Sequence, residues 1–268
     1  MSFTKLISTL ALLCVAPLAS AMTMPMNMTM PMNMSMTGAS ICPTGNISVK
    51  AALPDAMIKQ NFASDLWEQS PTYIGLSVGT QNYTCTEAGA WGPAGAITYL
   101  YDISCLPVMH HKPFTSFIAG LWDNTPPVVT NWDLVDLTEK ISPGVALGIH
   151  YWIPDPNNAT SGKIFAKWDF SQAERFRNDT HADHAFVVSS ESNILPDPIN
   201  PVVNSQWLEE PVLLVNGQKD GELADVVVRF NSNGGSAPTT ACTPGADLQV
   251  KSTLNFWFYG GHWAETIM

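Results

Sequence analysis

What this chain can fold into is limited first by its punctuation. From about residue 70 onward, short runs rich in Val, Ile, Thr, Tyr, Phe and Trp are cut by Gly, Pro, Asn and Asp, at 72–78, 81–86, 96–104, 144–152, 163–168, 212–215, 223–230 and 248–259. Runs of this length suit strands, because β-branched and aromatic side chains pack well on a pleated, half-buried surface. Helical periodicity is scarce. Its best instance is 55–67, with Pro54 and Asp55 as a start and Met57, Phe62 and Leu66 spaced for one face. The 20 prolines, spread along the chain, argue against long helices, since an interior proline removes a hydrogen bond and clashes with the preceding turn. A mainly β protein is expected, an antiparallel sandwich or barrel with few short helices.

Two runs alternate clearly enough to assign faces. In 223–230, Val226, Val228 and Phe230 share one side and Asp225, Val227 and Arg229 the other; in 248–259, Val250, Ser252, Leu254, Phe256 and Phe258 point together. The first set and the last are expected to face the core. Between the two strands, Asn233-Gly234-Gly235-Ser236-Ala237-Pro238 supplies glycines for positive φ.

The first 21 residues read as an export signal: one cation, Lys5, an apolar run from Leu10 to Leu18, then Ala19-Ser20-Ala21 before the cleavage point. The apolar run is too short to span a bilayer, and nothing downstream approaches 18 uninterrupted apolar residues. A soluble, secreted protein, extracellular or in a cell wall, is expected. Loss of Lys5 with the signal leaves 11 cations against 23 acids, a net charge of −12. Nucleic acid and anionic membrane are poor partners for such a surface.

Cys14 leaves with the signal, and Cys42, Cys85, Cys105 and Cys242 enter an oxidising compartment as an even set. Two disulfides are expected, each worth about 2 to 4 kcal/mol. Three pairings are possible; the favoured one joins Cys85 to Cys105 across a local loop and Cys42 to Cys242 at the two ends. A zinc site is disfavoured because no Cys-x-x-Cys pair exists. Six sequons, at Asn27, Asn33, Asn46, Asn82, Asn158 and Asn178, make a glycoprotein the expectation, with Asn158 and Asn178 best placed among loop residues.

Residues 22–36 put a methionine at every even position: Met22, Met24, Met26, Met28, Met30, Met32, Met34 and Met36. Their prolines and lack of other apolar types leave nothing to pack, so residues 22–39 are expected to form a disordered arm ahead of a single β-rich domain at 40–268. Thioethers are soft, uncharged ligands for Cu(I), and alternate spacing on an extended chain brings sulfurs to one side. Copper binding by the arm is one expectation. A glycosylated spacer, or an oxidant sink whose sulfurs become sulfoxides, is the other.

Several blocks resemble a family of secreted, mostly fungal proteins of uncharacterised function, some of whose gene models carry a malate-dehydrogenase label. The resemblance lies in Val78-Gly79-Thr80-Gln81-Asn82-Tyr83-Thr84-Cys85 with Trp91, in Gly148-Ile149-His150-Tyr151-Trp152-Ile153-Pro154, and in the stretch 221–259 with Gly234-Gly235-Ser236-Ala237-Pro238 and Cys242. It covers most of 50–259. The usual Trp before Leu213-Leu214 is missing here, and the block 107–142 is longer than in the family. The resemblance implies a β-rich secreted domain and carries no catalytic residues. A dinucleotide-binding dehydrogenase finds no support, for no Gly-x-Gly-x-x-Gly lies between a strand and a helix.

Other constellations are weaker. Gly75-Leu76-Ser77-Val78-Gly79 matches a nucleophile elbow, but the sequence continues as a strand where the mechanism needs a helix. His181 and His184 are spaced by three, while His110, His111, His150 and His262 could join them only through the fold. His150 and His262, beside Trp152 and Trp263, suit packed side chains better than ligands. Cleavage before Met22 leaves no terminal histidine for copper-oxygenase chemistry. Asp123, Asp133, Asp136, Glu139, Glu209 and Glu210 offer carboxylates for glycoside cleavage, but the required separation is a property of the fold. Trp122, Trp132 and Trp152 suit either a sugar-stacking surface or the core. No catalytic set and no cofactor other than copper is expected. The sequence points to a non-enzymatic secreted glycoprotein with a copper-binding arm. The alternative is a cell-wall or host-facing interaction protein, a virulence factor binding polysaccharide or a protein, with the arm as spacer.

Overall fold

The structure is a computed structural model and describes residues 42–126, 130, 133–136, 140 and 144–267. The Met-rich arm, with Asn27 and Asn33, lies outside the described residues. The chain enters through a short helix α1 (Asp55–Lys59) and continues into an antiparallel sheet: β1 (Tyr73–Cys85), β2 (Trp91–Asp102), then helix α2 (Val108–Asp123), β3 (Ala146–Pro154), β4 (Ile164–Asp169), β5 (Phe186–Ser189), β6 (Ser192–Leu195), β7 (Trp207–Pro211), the small hairpin β8 (Leu214–Val215) and β9 (Gln218–Lys219), β10 (Val226–Gly234) and β11 (Asp247–Tyr259). Nine strands form one sheet in the order β5-β4-β3-β2-β1-β11-β10-β7-β6. The expected mainly β, antiparallel class is what is observed.

The sheet curls back on itself. Ser189 at the end of β5 bridges Val212 just past β7, supported by Leu213 N–H to Val188 O at 2.8 Å and Ser190 N–H to Pro211 O at 3.1 Å. Pairing along this seam satisfies edge groups that an open sheet would expose. Because the sheet curls, its two faces meet different partners, and both are buried. Tyr73, Leu100, Leu147, Trp168, Phe170, Val227, Leu254, Phe256 and Phe258 form one core within the curl. Ile74, Leu76, Val78, Tyr99, Tyr101, Val228, Phe230, Trp257 and Tyr259 form a second on the outer face, covered by the N-terminal segment and α2.

Four expectations need correction. The disulfides join Cys42 to Cys105 and Cys85 to Cys242. The favoured Cys85–Cys105 bond fails on register: β1 pairs Cys85 with Trp91 and Gly75 with Asp102, so Cys105 follows the far end of the ladder. Ten strand residues separate the ends by roughly 30 Å, whereas bonded cysteines need Cα atoms within about 7 Å. The helix expected over 55–67 stops at Lys59, because Asn61 and Ala63 turn left-handed at φ 54° and 52°. There Ala63 N–H donates to Glu209 Oε1 at 2.6 Å, and Met57, Phe62 and Leu66 still reach the core. Prolines do not prevent a long helix, since α2 runs 16 residues with Pro113 inside it. The strands at 72–78 and 81–86 are one continuous β1.

The turn expected over 233–238 starts later, because Asn233 and Gly234 still pair with Thr253 and Ser252 as the end of β10; Gly234 and Gly235 take the positive φ expected of them, 73° and 90°.

Candidate functional site

One end of the curl holds a cavity of about 920 Å³ whose lining includes Gln81, Tyr83, Trp152, Ser189, Ser205 and Arg229. Period-two alternation builds it. Inward positions that carry aromatic and aliphatic side chains at the closed end carry polar ones here: on β1 the series from Tyr73 reaches Ser77, Gln81 and Tyr83, on β10 Val227 is followed by Arg229, and on β11 Leu254 is preceded by Ser252.

Several of these polar atoms have no partner within the protein. Gln81 Nε2, Ser189 Oγ, Ser205 Oγ, Ser252 Oγ and Trp152 Nε1 are all buried and unpaired. Buried polar atoms are nearly always hydrogen-bonded, and leaving one unpaired costs about 1 to 3 kcal/mol. A concentration of them beside one cavity is what a site for a polar ligand looks like. Two of these oxygens and the Gln81 stem converge on Gly235: a Cβ built there would lie 2.7 Å from Ser252 Oγ and 3.2 Å from both Gln81 Cγ and Ser205 Oγ. Only glycine leaves that space open, and its φ of 90° favours glycine as well.

The rim is held by backbone. Ser205 N–H donates to Gly234 O at 2.9 Å, Gly234 N–H to Asn204 Oδ1 at 3.0 Å, and Tyr83 Oη to Gly235 O at 2.6 Å. Buried Asp197 braces the loop before Ser205, accepting from the Asn200 amide at 2.7 Å and from Trp207 Nε1 at 2.9 Å. The Gly-Gly-Ser-Ala-Pro block therefore locks the cavity wall to the segment leading into β7.

Electrostatically the cavity is dominated by Arg229, which is 7% exposed and donates Nε–H to Gln206 O at 2.9 Å. Burial lowers its pKa, with Glu210, Glu191 and Tyr83 pulling it back up. Glu210, deeper on the same face and 2% exposed, is pushed up to about 8 by burial, against the downward pull of Arg229. At neutral pH Glu210 is thus mostly an uncharged acid, and Arg229 stands as the cavity's buried charge. Below them His150 stacks on Trp168 at 4.5 Å between ring centroids, and burial lowers its pKa to about 3. It is a neutral, packed imidazole.

The sequence candidates are dispersed. Ser77 lies mid-strand, fully buried, donating to Thr98 Oγ1 at 2.7 Å, so the elbow motif exposes no nucleophile. Glu209 and Glu210 are neighbours on β7 and point to opposite faces; Asp136 pairs with Lys140 at 2.6 Å, and Asp133 accepts from Thr130. Glu139 and Trp132 lie outside the described residues. Trp122 is in the outer core, donating to Gly79 O at 2.9 Å, while Trp152 lines the cavity. His181 meets His262, not His184. Asn46, Asn158 and Asn178 are exposed, while Asn82 is half-buried within β1.

Gln81, Ser189, Ser205 and Arg229 were missed as site residues. Arg229 carried a signal: a cation inside Val226-Val227-Val228-Arg229-Phe230, placed on the polar side of the strand and here found inside the curl. The serines carry none, because only closure of the sheet brings them together.

A family model described as "Protein of unknown function (DUF3455)" matches residues 67–260, a stretch that includes every cavity residue named above and excludes the Met-rich arm. No curated protein and no solved structure matches the chain.

Proposed function

We propose, from the premise that this chain belongs to the DUF3455 family of proteins of unknown function, that it is a secreted, non-enzymatic glycoprotein that binds a hydroxyl-rich carbohydrate at the open end of its curled sheet. The two disulfides are compatible with an oxidising compartment, and no helix among the described residues is long and apolar enough to cross a membrane. The observation that carries the reading is the convergence of Gln81, Ser189 and Ser205, each with an unpaired buried polar atom, on one cavity beside Trp152. Sugars present both requirements at once, hydroxyls that donate and accept and a C–H face that stacks on an aromatic ring. Arg229 extends the preference toward sugars bearing a carboxylate.

Titration of the mature protein with chitin and glucan oligosaccharides and with uronic-acid oligomers, followed by calorimetry, tests this. Saturable binding is expected, weakened at least tenfold in Trp152→Ala and Gln81→Ala with the melting temperature preserved. Absence of binding to all three classes by folded protein would overturn it.

A second reading rests on a separate observation, the eight methionines at alternate positions of 22–36. Under it the arm holds Cu(I) through thioether pairs, independently of the cavity. Titrating Ag(I) or Cu(I) into the mature chain and into one starting at Thr37 distinguishes the arm as ligand from the arm as spacer: equal stoichiometry in both removes the copper role. Glycan at exposed Asn158 and Asn178 is expected in mass spectra of the secreted protein.

A further inference from the structure

Away from the cavity, three side chains far apart in sequence converge on one cleft, and we propose that His181, Glu222 and His262 bind a divalent transition-metal ion such as Zn(II). One ligand atom from each lies within 4.8 Å of the others. His181 Nδ1 is 2.9 Å from Glu222 Oε2, and His262 Nδ1 is 4.0 Å from the same oxygen. Zinc takes nitrogen and oxygen ligands at about 2.0 to 2.2 Å, which sets bound ligand atoms about 3 to 3.5 Å apart. The observed separations bracket that value, so rotation of side chains closes the site without moving backbone. The two imidazole rings now stack at 4.0 Å and 20°. They splay when both turn a nitrogen to the ion.

The backbone that carries these groups is fixed. His262 N–H donates to Glu222 O at 2.8 Å, and Glu222 N–H to His184 O at 3.0 Å. Asp179 ties the third ligand in, accepting from His181 N–H at 2.8 Å and, through its other oxygen, from Trp263 Nε1 at 2.8 Å. Trp263 is fully buried and anchors the neighbour of His262 in the core. At Gly261, with φ 82°, a Cβ would fall 2.6 Å from Glu222 O and 2.4 Å from Leu223 O. The close approach of the two ligand-bearing segments therefore depends on glycine.

Two imidazoles and one carboxylate select a borderline divalent ion over Ca²⁺ or Mg²⁺, which prefer all-oxygen sets. The side chains of His181, Glu222 and His262 are each about two-fifths exposed, so an ion reaches them from solvent and keeps positions open to water. The nearby cation Lys219 is neutralised by Asp225 at 2.5 Å.

Calorimetric titration of Zn(II) into the full mature chain at pH 7.5 tests the site; protein zinc sites are built from thiolate, imidazole and carboxylate ligands, and a chain starting at Thr37 titrated alongside separates any contribution of the Met-rich arm. One equivalent is expected, with affinity at least tenfold weaker in His181→Ala, His262→Ala and Glu222→Gln and unchanged in His184→Ala. Zinc should also raise the melting temperature of the parent and not that of the His181→Ala/His262→Ala pair, while the metal-free melting temperatures of the two agree. No zinc binding by the parent, or equal binding by the double variant, overturns the assignment.

Discussion

Glu210 is 2% exposed on β7, and its carboxyl is pushed up to about 8, chiefly by burial. An unfolded chain releases that proton near pH 4.5, so the folded state binds more protons between about 4.5 and 8, and stability is lost as pH rises through that interval. Replacing the acid by its neutral isostere removes the dependence. Glu210→Gln is expected to melt higher than the parent at pH 8, by a free energy on the order of 3 kcal/mol, with the difference vanishing below about pH 4.5. A pair of thermal melts at pH 4 and pH 8 checks it. Gly235→Ala acts on the same site through volume. Its methyl would meet Ser252, Gln81 and Ser205 at a φ that disfavours any side chain, costing about 1 to 3 kcal/mol, and carbohydrate titration of this variant should show weakened binding.

At the scale of elements, α2 shows how packing overrides local preference. Pro113 sits in its second turn, where a proline costs about 3 kcal/mol. Against this the helix buries Phe114, Ile118 and Trp122 in the outer core, each worth about 1.5 to 3 kcal/mol. Its C-terminus is closed from another element: Lys251 on β11 donates to the carbonyls of Trp122 at 2.7 Å, Asp123 at 3.2 Å and Thr125 at 2.9 Å. A cation there satisfies orphan carbonyls and complements the helix dipole. Lys251→Met keeps the stem and removes the charge; chemical denaturation should show a loss of about 1 to 2 kcal/mol.

The whole molecule combines opposing titrations. Burial lowers His111 to about 4 and His150 to about 3, so the unfolded chain binds more protons below about pH 6.5 and stability is lost as pH falls from there. Glu210 works in the other direction above about pH 4.5, but with one proton against two. The melting temperature should therefore peak between about pH 6 and 7 and decline on both sides, a profile measurable by calorimetry across pH 3 to 9. The disulfides act at the same scale. Cys42–Cys105 spans 63 residues and Cys85–Cys242 spans 157, so their reduction should lower the melting temperature in either singly bonded variant, each bond contributing about 2 to 5 kcal/mol.

Residue type and alternation were enough to read the strand content, the antiparallel class, the set of four paired cysteines and the glycine turn after β10, because these follow from local sterics and period-two patterning. The run 248–259 named Leu254, Phe256 and Phe258 as one core face correctly, yet Trp257 and Tyr259 on the other side are equally buried. Alternation tells which residues share a face, not how many faces the fold covers. The curl of the sheet and the docking of α2 decided that. They also decided the cysteine pairing, through the register of β1 on β2, and assembled Gln81, Ser189, Ser205 and Arg229 at one site and His181, Glu222 and His262 at another. Such groupings depend on contacts between residues tens to more than a hundred positions apart, and only closure of the chain in three dimensions specifies them.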